Sequence, residues 1–374
     1  MFDIPSVRVG RIFGIPLEIN LSWIVIFGLV AFALATAYYP SVPGAAGASG
    51  AVYWLLGIVT SLLFFASIIA HELCHALVTK AEGGSVEKIT LFIFGGVAQI
   101  DEEPRSPGRE FIMAASGPLM SLLIAGVCFF GAVSAVGRGA PWWVIAPLRY
   151  LGSINLFVAI FNMLPGFPLD GGRVLRSILW AATGDVLKAT RWAARSGQVL
   201  GWAMVGLAVY SVLQGGTDFI WFGLVGWFIA WLAGSAYRQE QIHSRLEGVT
   251  VGSIMTEHPE FVSGDITIER LANEHLLGGL HSRYPVIYGG AIVGIVSLSD
   301  VKSVSREDWP SVRVIDVTNR DLPNLSVHAD TPVEKVLAQL TTGEPGAVLV
   351  VREGRLAGIV TRADVLDLLR PPPK

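Results

Sequence analysis

Six stretches of this 374-residue chain are long and apolar, at roughly 19–37, 53–79, 110–135, 144–164, 193–213 and 218–236. About 20 apolar residues of helix cross the hydrocarbon core of a bilayer, so each stretch is a predicted span. In lipid every backbone polar group must be satisfied internally, which leaves helices or closed barrels. Runs of this length therefore commit residues 1–240 to a helical bundle. The composition agrees, with 52% hydrophobic residues and a mean hydropathy of +0.56. Charge is spread unevenly. Residues 1–240 carry 14 Lys/Arg and 13 Asp/Glu, whereas the much shorter 241–374 carries 13 and 17. The second part reads as soluble. A net charge of −3 gives a nucleic acid no electrostatic footing.

The loops set an orientation. Link 38–51 has no Lys or Arg, while 80–109 has Lys80, Lys88, Arg105 and Arg109, and 165–192 has Arg173, Arg176, Lys188 and Arg191. In all, 12 Lys/Arg lie on the N-terminal side and two, Arg138 and Arg149, on the other. The positive-inside rule then predicts a multi-pass cell-membrane protein with both termini cytoplasmic. Trp142, Trp143 and Tyr150 would join the outer aromatic belt. The N-terminus has neither the basic start nor the cleavage site of a secretory signal. Cys74 and Cys128 both lie in apolar segments and read as packing residues, not a disulfide framework.

The soluble part repeats. GIVSLSD (294–300) returns as GIVTRAD (358–364), a period of 64 residues. A strand–turn–strand pattern precedes each copy, and matching helices, DITIERLANE and DTPVEKVLAQ, come earlier still. Two β-α-β-β-α units, 249–310 and 311–372, are expected to form one pseudo-symmetric α+β module.

The second apolar run holds ASIIAHELCHALVTK (66–80). Residues i and i+4 share a helix face, so His71 and His75 can chelate one ion. Glu72 is turned about 100° away, poorly placed as a ligand but well placed as a base beside the ion. Three ionisable side chains in lipid are costly without a function. Zinc suits imidazole and needs no redox partner. A catalytic zinc usually takes three protein ligands, and residues 1–240 hold no further His. The expected third ligand is a carboxylate, and Asp170 in FNMLPGFPLDGG is the one framed by apolar residues. Topology allows it. The His pair lies about 7–13 Å below the cytoplasmic end of the second span, at about 1.5 Å per residue. The fourth span ends on the same side near Pro165, where prolines let the chain turn back.

HELCH together with FNMLPGFPLDGG resembles the site-2 protease family, zinc metalloproteases that cut transmembrane substrates within the bilayer. The family motifs match at His71, Glu72, His75 and Asp170, and the family's Asn before Pro matches Asn162. FGGVAQ (94–99) and SGPL (116–119) are also similar. The repeat resembles paired cystathionine-β-synthase (CBS) domains, which one branch of that family carries at its C-terminus. No inserted PDZ domain is seen. The resemblance implies a multi-pass α-helical membrane protein, six spans with a small membrane-associated β-sheet, plus a soluble α+β tandem CBS module.

It further implies regulated intramembrane proteolysis, with one Zn(2+) per chain on His71, His75 and Asp170 and with Glu72 as catalytic base. Asn162 and Asn155 are candidates for substrate binding, and an interhelical hydrogen bond is the rival role for each. KITLFIFGGVAQID (88–101) reads as strand, turn at Gly95-Gly96, strand. With the similar VRVGRIFGIPLEI it could clamp an extended substrate by strand addition, or form a purely structural hairpin. Gly117-Pro118 either kinks the third span or permits close packing. In CBS pairs the positions of Ser297, Asp300, Thr361 and Asp364 often bind adenosine ribose, and helix capping is the rival reading. The expected partners are a transmembrane protein substrate, the lipid bilayer, an adenine nucleotide and a second copy joined through the CBS domains. The linker 237–248 would carry any signal. A CBS-regulated channel or transporter is the alternative, but it gives HELCH and LDGG no role. A zinc-dependent scaffold would usually close its site with four ligands.

Overall fold

The structure is a computed structural model. It describes residues 6–93, 95–100, 104, 106–216, 219–276, 283–341, 346–352 and 355–369. Phe94 and Asp101 of the expected hairpin, and His281, lie outside them. The chain forms two compact units, Met1–Arg238 and Gln239–Lys374.

Among the described residues, six helices are long and apolar enough to cross a membrane. They are α1 (Ser22–Ala33, prolonged by a π-turn and a 3-10 turn to Ser41), α2 (Gly50–Ala81), α3 (Pro107–Gly137), α4 (Trp142–Asn162), α6 (Val186–Leu213) and α7 (Ile220–Leu246). The expected spans are all found; the first and fourth are shifted by two to four residues, and the other four have one or both ends displaced by two to ten residues. Their large apolar side chains point outward, as with Phe130, Val133 and Leu213. Many of their buried positions are Ala, such as Ala76, Ala114, Ala125, Ala159 and Ala193. That is the inside-out pattern of a membrane bundle, whose helices meet on small residues.

One helix was not expected. After α4 the chain turns through 163–169, with a cis bond between Phe167 and Pro168, and α5 (Asp170–Thr183) begins at the LDGG motif. It stops at Gly184, whose left-handed φ of 69° is the usual glycine C-terminal stop.

A four-stranded sheet completes the first unit: β1 (Ser6–Ile12), β2 (Ile15–Asn20), β3 (Val86–Phe92) and β4 (Gly95–Ile100), in that order. The β1–β2 turn at Phe13-Gly14 has positive φ at both residues, the two-residue hairpin geometry that fits strand twist. Strands β2 and β3 run parallel. Ile15 and Ile89 bury against Ala76 of α2. One expectation needs correction. Gly95 and Gly96 are not the hairpin turn; they pair with Phe92 and Leu91 inside the β3–β4 ladder. The reason lies in the site, described below.

Among the described residues the second unit holds two sheets. One is β6 (Val262–Ser263), β7 (Arg283–Tyr288) and β8 (Ala291–Ser297). The other has the order β5 (Thr256–Glu257), β11 (Arg355–Thr361), β10 (Ala347–Arg352) and β9 (Ser326–His328). The 64-residue period is kept in detail: both hairpins slip register at the matching place, Val286/Ile287 and Val350/Val351. The repeats interlock. Strand β5 of the first pairs with β11 of the second, and Ile295 of the first shares a core with Leu325, Ala347, Leu349 and Ile359 of the second.

Candidate metal centre and active site

His71 and His75 face inward on α2 and are buried, with ring centroids 5.0 Å apart. Helix α3 holds both rings from behind. His75 Nδ1 lies 2.7 Å from the Met113 carbonyl oxygen. A carbonyl only accepts, so Nδ1 carries the proton and donates it, and Nε2 keeps its lone pair for the site. His71 Nδ1 lies 2.9 Å from Ser121 Oγ, and donation to that hydroxyl gives the same tautomer. Ser116 Oγ supports the Met113 carbonyl at 2.7 Å.

Asp170 arrives from the far side as the first residue of α5. The turn before it is fixed by backbone bonds, Phe167 N to Ala193 O and Leu169 N to Gly166 O, and by Ser196 Oγ donating to Pro165 O. Asp170 Oδ2 is 3.0 Å from His71 Nε2 and 3.4 Å from His75 Nε2. One ligand atom from each of the three residues lies within 4.8 Å of the others.

This constellation fits a metal. Two imidazole Nε2 atoms and one carboxylate oxygen are the donor types that a three-ligand catalytic zinc site uses, with one position left open. His75 Nε2 is buried and makes no hydrogen bond within the described residues. A buried acceptor without a partner is costly, and a cation among the three groups would satisfy it. Gly117 supplies the room. A Cβ there would come within 2.3 Å of His75 Nε2 and 2.6 Å of His71 Nε2. Close packing, left open by the sequence, is thus what Gly117 provides.

Glu72 reaches toward β4. A Cβ on Gly96 would sit 2.6 Å from Glu72 Cγ. This explains the corrected hairpin: the strand needs its glycine where it passes over Glu72. Asn162 ends α4 and is half-buried. Asn155 is buried, but its amide donates to Leu151 O of its own helix at 2.9 Å. That intrahelical bond uses one of the two amide hydrogens of Asn155. Cys74 is half-buried.

In the second unit Ser297 and Asp300 close on each other. Asp300 Oδ2 accepts from Ser297 N at 2.7 Å and from Ser297 Oγ at 2.5 Å, capping helix Leu298–Lys302. Asp364 Oδ2 likewise accepts from Thr361 N at 2.7 Å and from Thr361 Oγ1 at 2.8 Å.

Sequence reasoning missed Met113 and Ser121. Their signal was available. Met113, Gly117 and Ser121 recur on one face of α3, within about 80° at 100° per residue, and that face meets α2.

Comparison with known proteins decides the family. The Peptidase family M50 model matches residues 59–140 and 132–204, and the CBS domain model matches 251–307 and 314–371. A Synechocystis protein named as a zinc metalloprotease, sll0528, is 35% identical over 98% of this chain and 96% of its own. Rip3 of Mycobacterium tuberculosis, named likewise, is 35% identical over 97% of this chain and 93% of its own. The chain belongs to the site-2 protease family. Among solved structures, the site-2 protease from Methanocaldococcus jannaschii is 31% identical and covers 62% of this chain and 95% of that chain, with a TM-score of 0.43.

As a site-2 protease the protein is a membrane-embedded zinc metalloprotease with a tandem CBS module. The channel or transporter reading and the zinc scaffold reading are set aside. Zinc is its cofactor.

Proposed function

We propose that this site-2 protease hydrolyses a peptide bond within or near the transmembrane segment of a membrane-protein substrate. His71, His75 and Asp170 hold one zinc ion and Glu72 is the base. The observation that carries the reading is the buried convergence of two imidazole Nε2 atoms and one carboxylate oxygen, with a second carboxylate, Glu72, beside them under a strand. Bound there, the ion supplies Lewis-acid activation of water and of the scissile carbonyl. Glu72 accepts the proton of the attacking water on its carboxylate and returns it to the leaving amine.

A helical substrate hides its peptide bonds, so the enzyme needs it extended. Strand β4 ends its sheet, with β3 as its one strand neighbour among the described residues. Its free edge supports strand addition beside Glu72. Gly95 and Gly96 lie in that strand, and Asn162 at the end of α4 would hold the substrate backbone. The loop charges support cytoplasmic termini and a cytoplasmic CBS module. That module, spanning 249–310 and 311–372, would bind an adenine nucleotide through Ser297, Asp300, Thr361 and Asp364, and would join two copies. Binding there requires the two caps to share or release their Asp carboxylates.

Cleavage of a model membrane substrate by purified protein tests the core of the reading. Glu72→Gln should keep its zinc and lose about 10²–10⁴-fold in rate, the usual worth of a general base. Equal cleavage by the zinc-loaded variant would remove Glu72 from the mechanism.

A further inference from the structure

One buried ion pair takes no part in the chemistry above. Arg176 Nε of α5 donates to Glu110 Oε1 in the first turn of α3 at 2.5 Å. Glu110 is 0% exposed and Arg176 is 5% exposed. The guanidinium also lies over the Phe167 ring, 5.4 Å from its centroid, and Phe167 packs on Ala193, Ala194 and Ala233. Stability alone does not account for such a pair, because well-packed apolar residues of similar size often serve as well or better. Its place in the fold is more telling. Glu110, Met113, Gly117 and Ser121 form one stripe of α3. Met113 and Ser121 fix the two imidazoles of α2, and Gly117 admits both Nε2 atoms. Glu110 holds α5, the helix whose first residue is Asp170.

We infer that Glu110 and Arg176 are positioning residues for the metal centre. They lock α5 to the same face of α3 that orients the histidines, and so set the distance from Asp170 to the two Nε2 atoms. Arg176 lies six residues beyond Asp170 on α5, about 9 Å along the axis at 1.5 Å per residue, so it acts through the helix and not by touching the ion. Without the lock, α5 can shift, and a shift of about 1 Å is enough to spoil a three-ligand site. The inference rests on Asp170 being a zinc ligand.

Zinc affinity of the full-length protein in detergent, measured by chelator competition, tests it. The visible spectrum of the cobalt(II)-substituted protein reports ligand geometry independently of activity. The double variant Glu110→Gln with Arg176→Met removes the pair without leaving a lone buried charge. It should fold, bind zinc about 10–100-fold more weakly, as when outer-shell partners are lost, and show an altered cobalt spectrum. Arg176→Lys keeps the charge but loses the Nε–H donor, and should fall between it and the wild type. Wild-type affinity with an unchanged cobalt spectrum in the folded double variant overturns the inference. Should that variant not fold, wild-type values for Arg176→Lys overturn it equally. Asp170→Ala separates the two failures. If it binds zinc like the wild type, the ligand assignment fails. If it loses zinc while the pair variants do not, only the positioning role fails.

Discussion

Two sets of polar residues stand out in this chain, one in each unit, and the structure treats them in opposite ways. In the CBS module, Ser297 with Asp300 and Thr361 with Asp364 satisfy one another. Nothing in their immediate geometry asks for a ligand. In the membrane unit, His71, His75 and Asp170 converge in a buried site, and among the described residues His75 Nε2 has the Asp170 carboxylate 3.4 Å away but no hydrogen bond. A short polar motif is therefore stronger evidence of a ligand when its buried atoms fail to close on themselves. The burial pattern reinforces the contrast. Buried polar residues are concentrated in the first unit, while the cores of the second are almost wholly apolar.

Removing a ligand should break the comparison most sharply. Asp170→Ala and His75→Ala each leave two of the three donors. Their zinc loss should exceed the roughly 10–100-fold typical of an outer-shell change, and cleavage should fall below detection. Metal analysis of the purified variants checks the first expectation and substrate cleavage the second. Chelation of the wild type should abolish cleavage, with recovery on adding zinc back.

Gly117→Ala comes next, because it adds one methyl group against both ligand atoms. Overpacking of this kind costs about 1–3 kcal/mol. Here the cost should appear as weakened zinc binding as well as a lowered melting temperature. Gly96→Ala puts the same methyl group against Glu72 and should spare zinc while slowing cleavage. If the two alanine variants behaved alike, Glu72 and the ligand pair would not be the separate functions described above.

Much of this was legible beforehand, for physical reasons. Apolar runs declare spans because lipid imposes one rule on the whole length of a helix. The HELCH spacing declares a chelating face because helical geometry is fixed. Asp170 could be reached across the chain because topology limited where the fourth span could end. Helix α5 was hidden: its glycines and charges resemble a loop, although Val174, Leu175, Ile178 and Leu179 recur at helical spacing. The hairpin turn was misplaced because a Gly-Gly pair is a strong turn signal, and the demand of Glu72 for space at Gly96 is not local in sequence. Glu110 and Arg176, 66 residues apart, leave no pattern to read.

A smaller effect tests the other side of the comparison. Ser297→Ala and Thr361→Ala should each cost about 1 kcal/mol, the usual worth of an N-terminal cap, read as lost hydrogen-exchange protection in the helix that follows. Titration with an adenine nucleotide then separates the roles. If the substitutions weaken the caps and leave nucleotide affinity unchanged, the residues only cap. If affinity falls as well, they also contact the ribose.

The smallest expected effect sets the scale for the buried pair. Glu18 Oε2 on β2 meets Lys88 Nζ on β3 at 3.0 Å, the same chemistry as Glu110 with Arg176 but at the surface. Hydrogen bonds from Lys88 first and from Ser6 second hold the Glu18 pKa below its ordinary 4.5. A depressed carboxylate contributes stability that is fully present above its unfolded pKa and lost as pH falls through the folded one. The pair should therefore matter at neutral pH and fade below about pH 4.5. A surface pair of this kind contributes roughly 0–1 kcal/mol and is screened by salt. Glu18→Gln should lower the melting temperature slightly at pH 7, less in high salt, and progressively less as the pH is taken down below 4.5, with zinc affinity unchanged throughout. A drop in zinc affinity as large as that expected for the Glu110 and Arg176 double variant would mean that any loss of an ion pair in this unit disturbs the metal, and the special place of the α3 stripe would be lost.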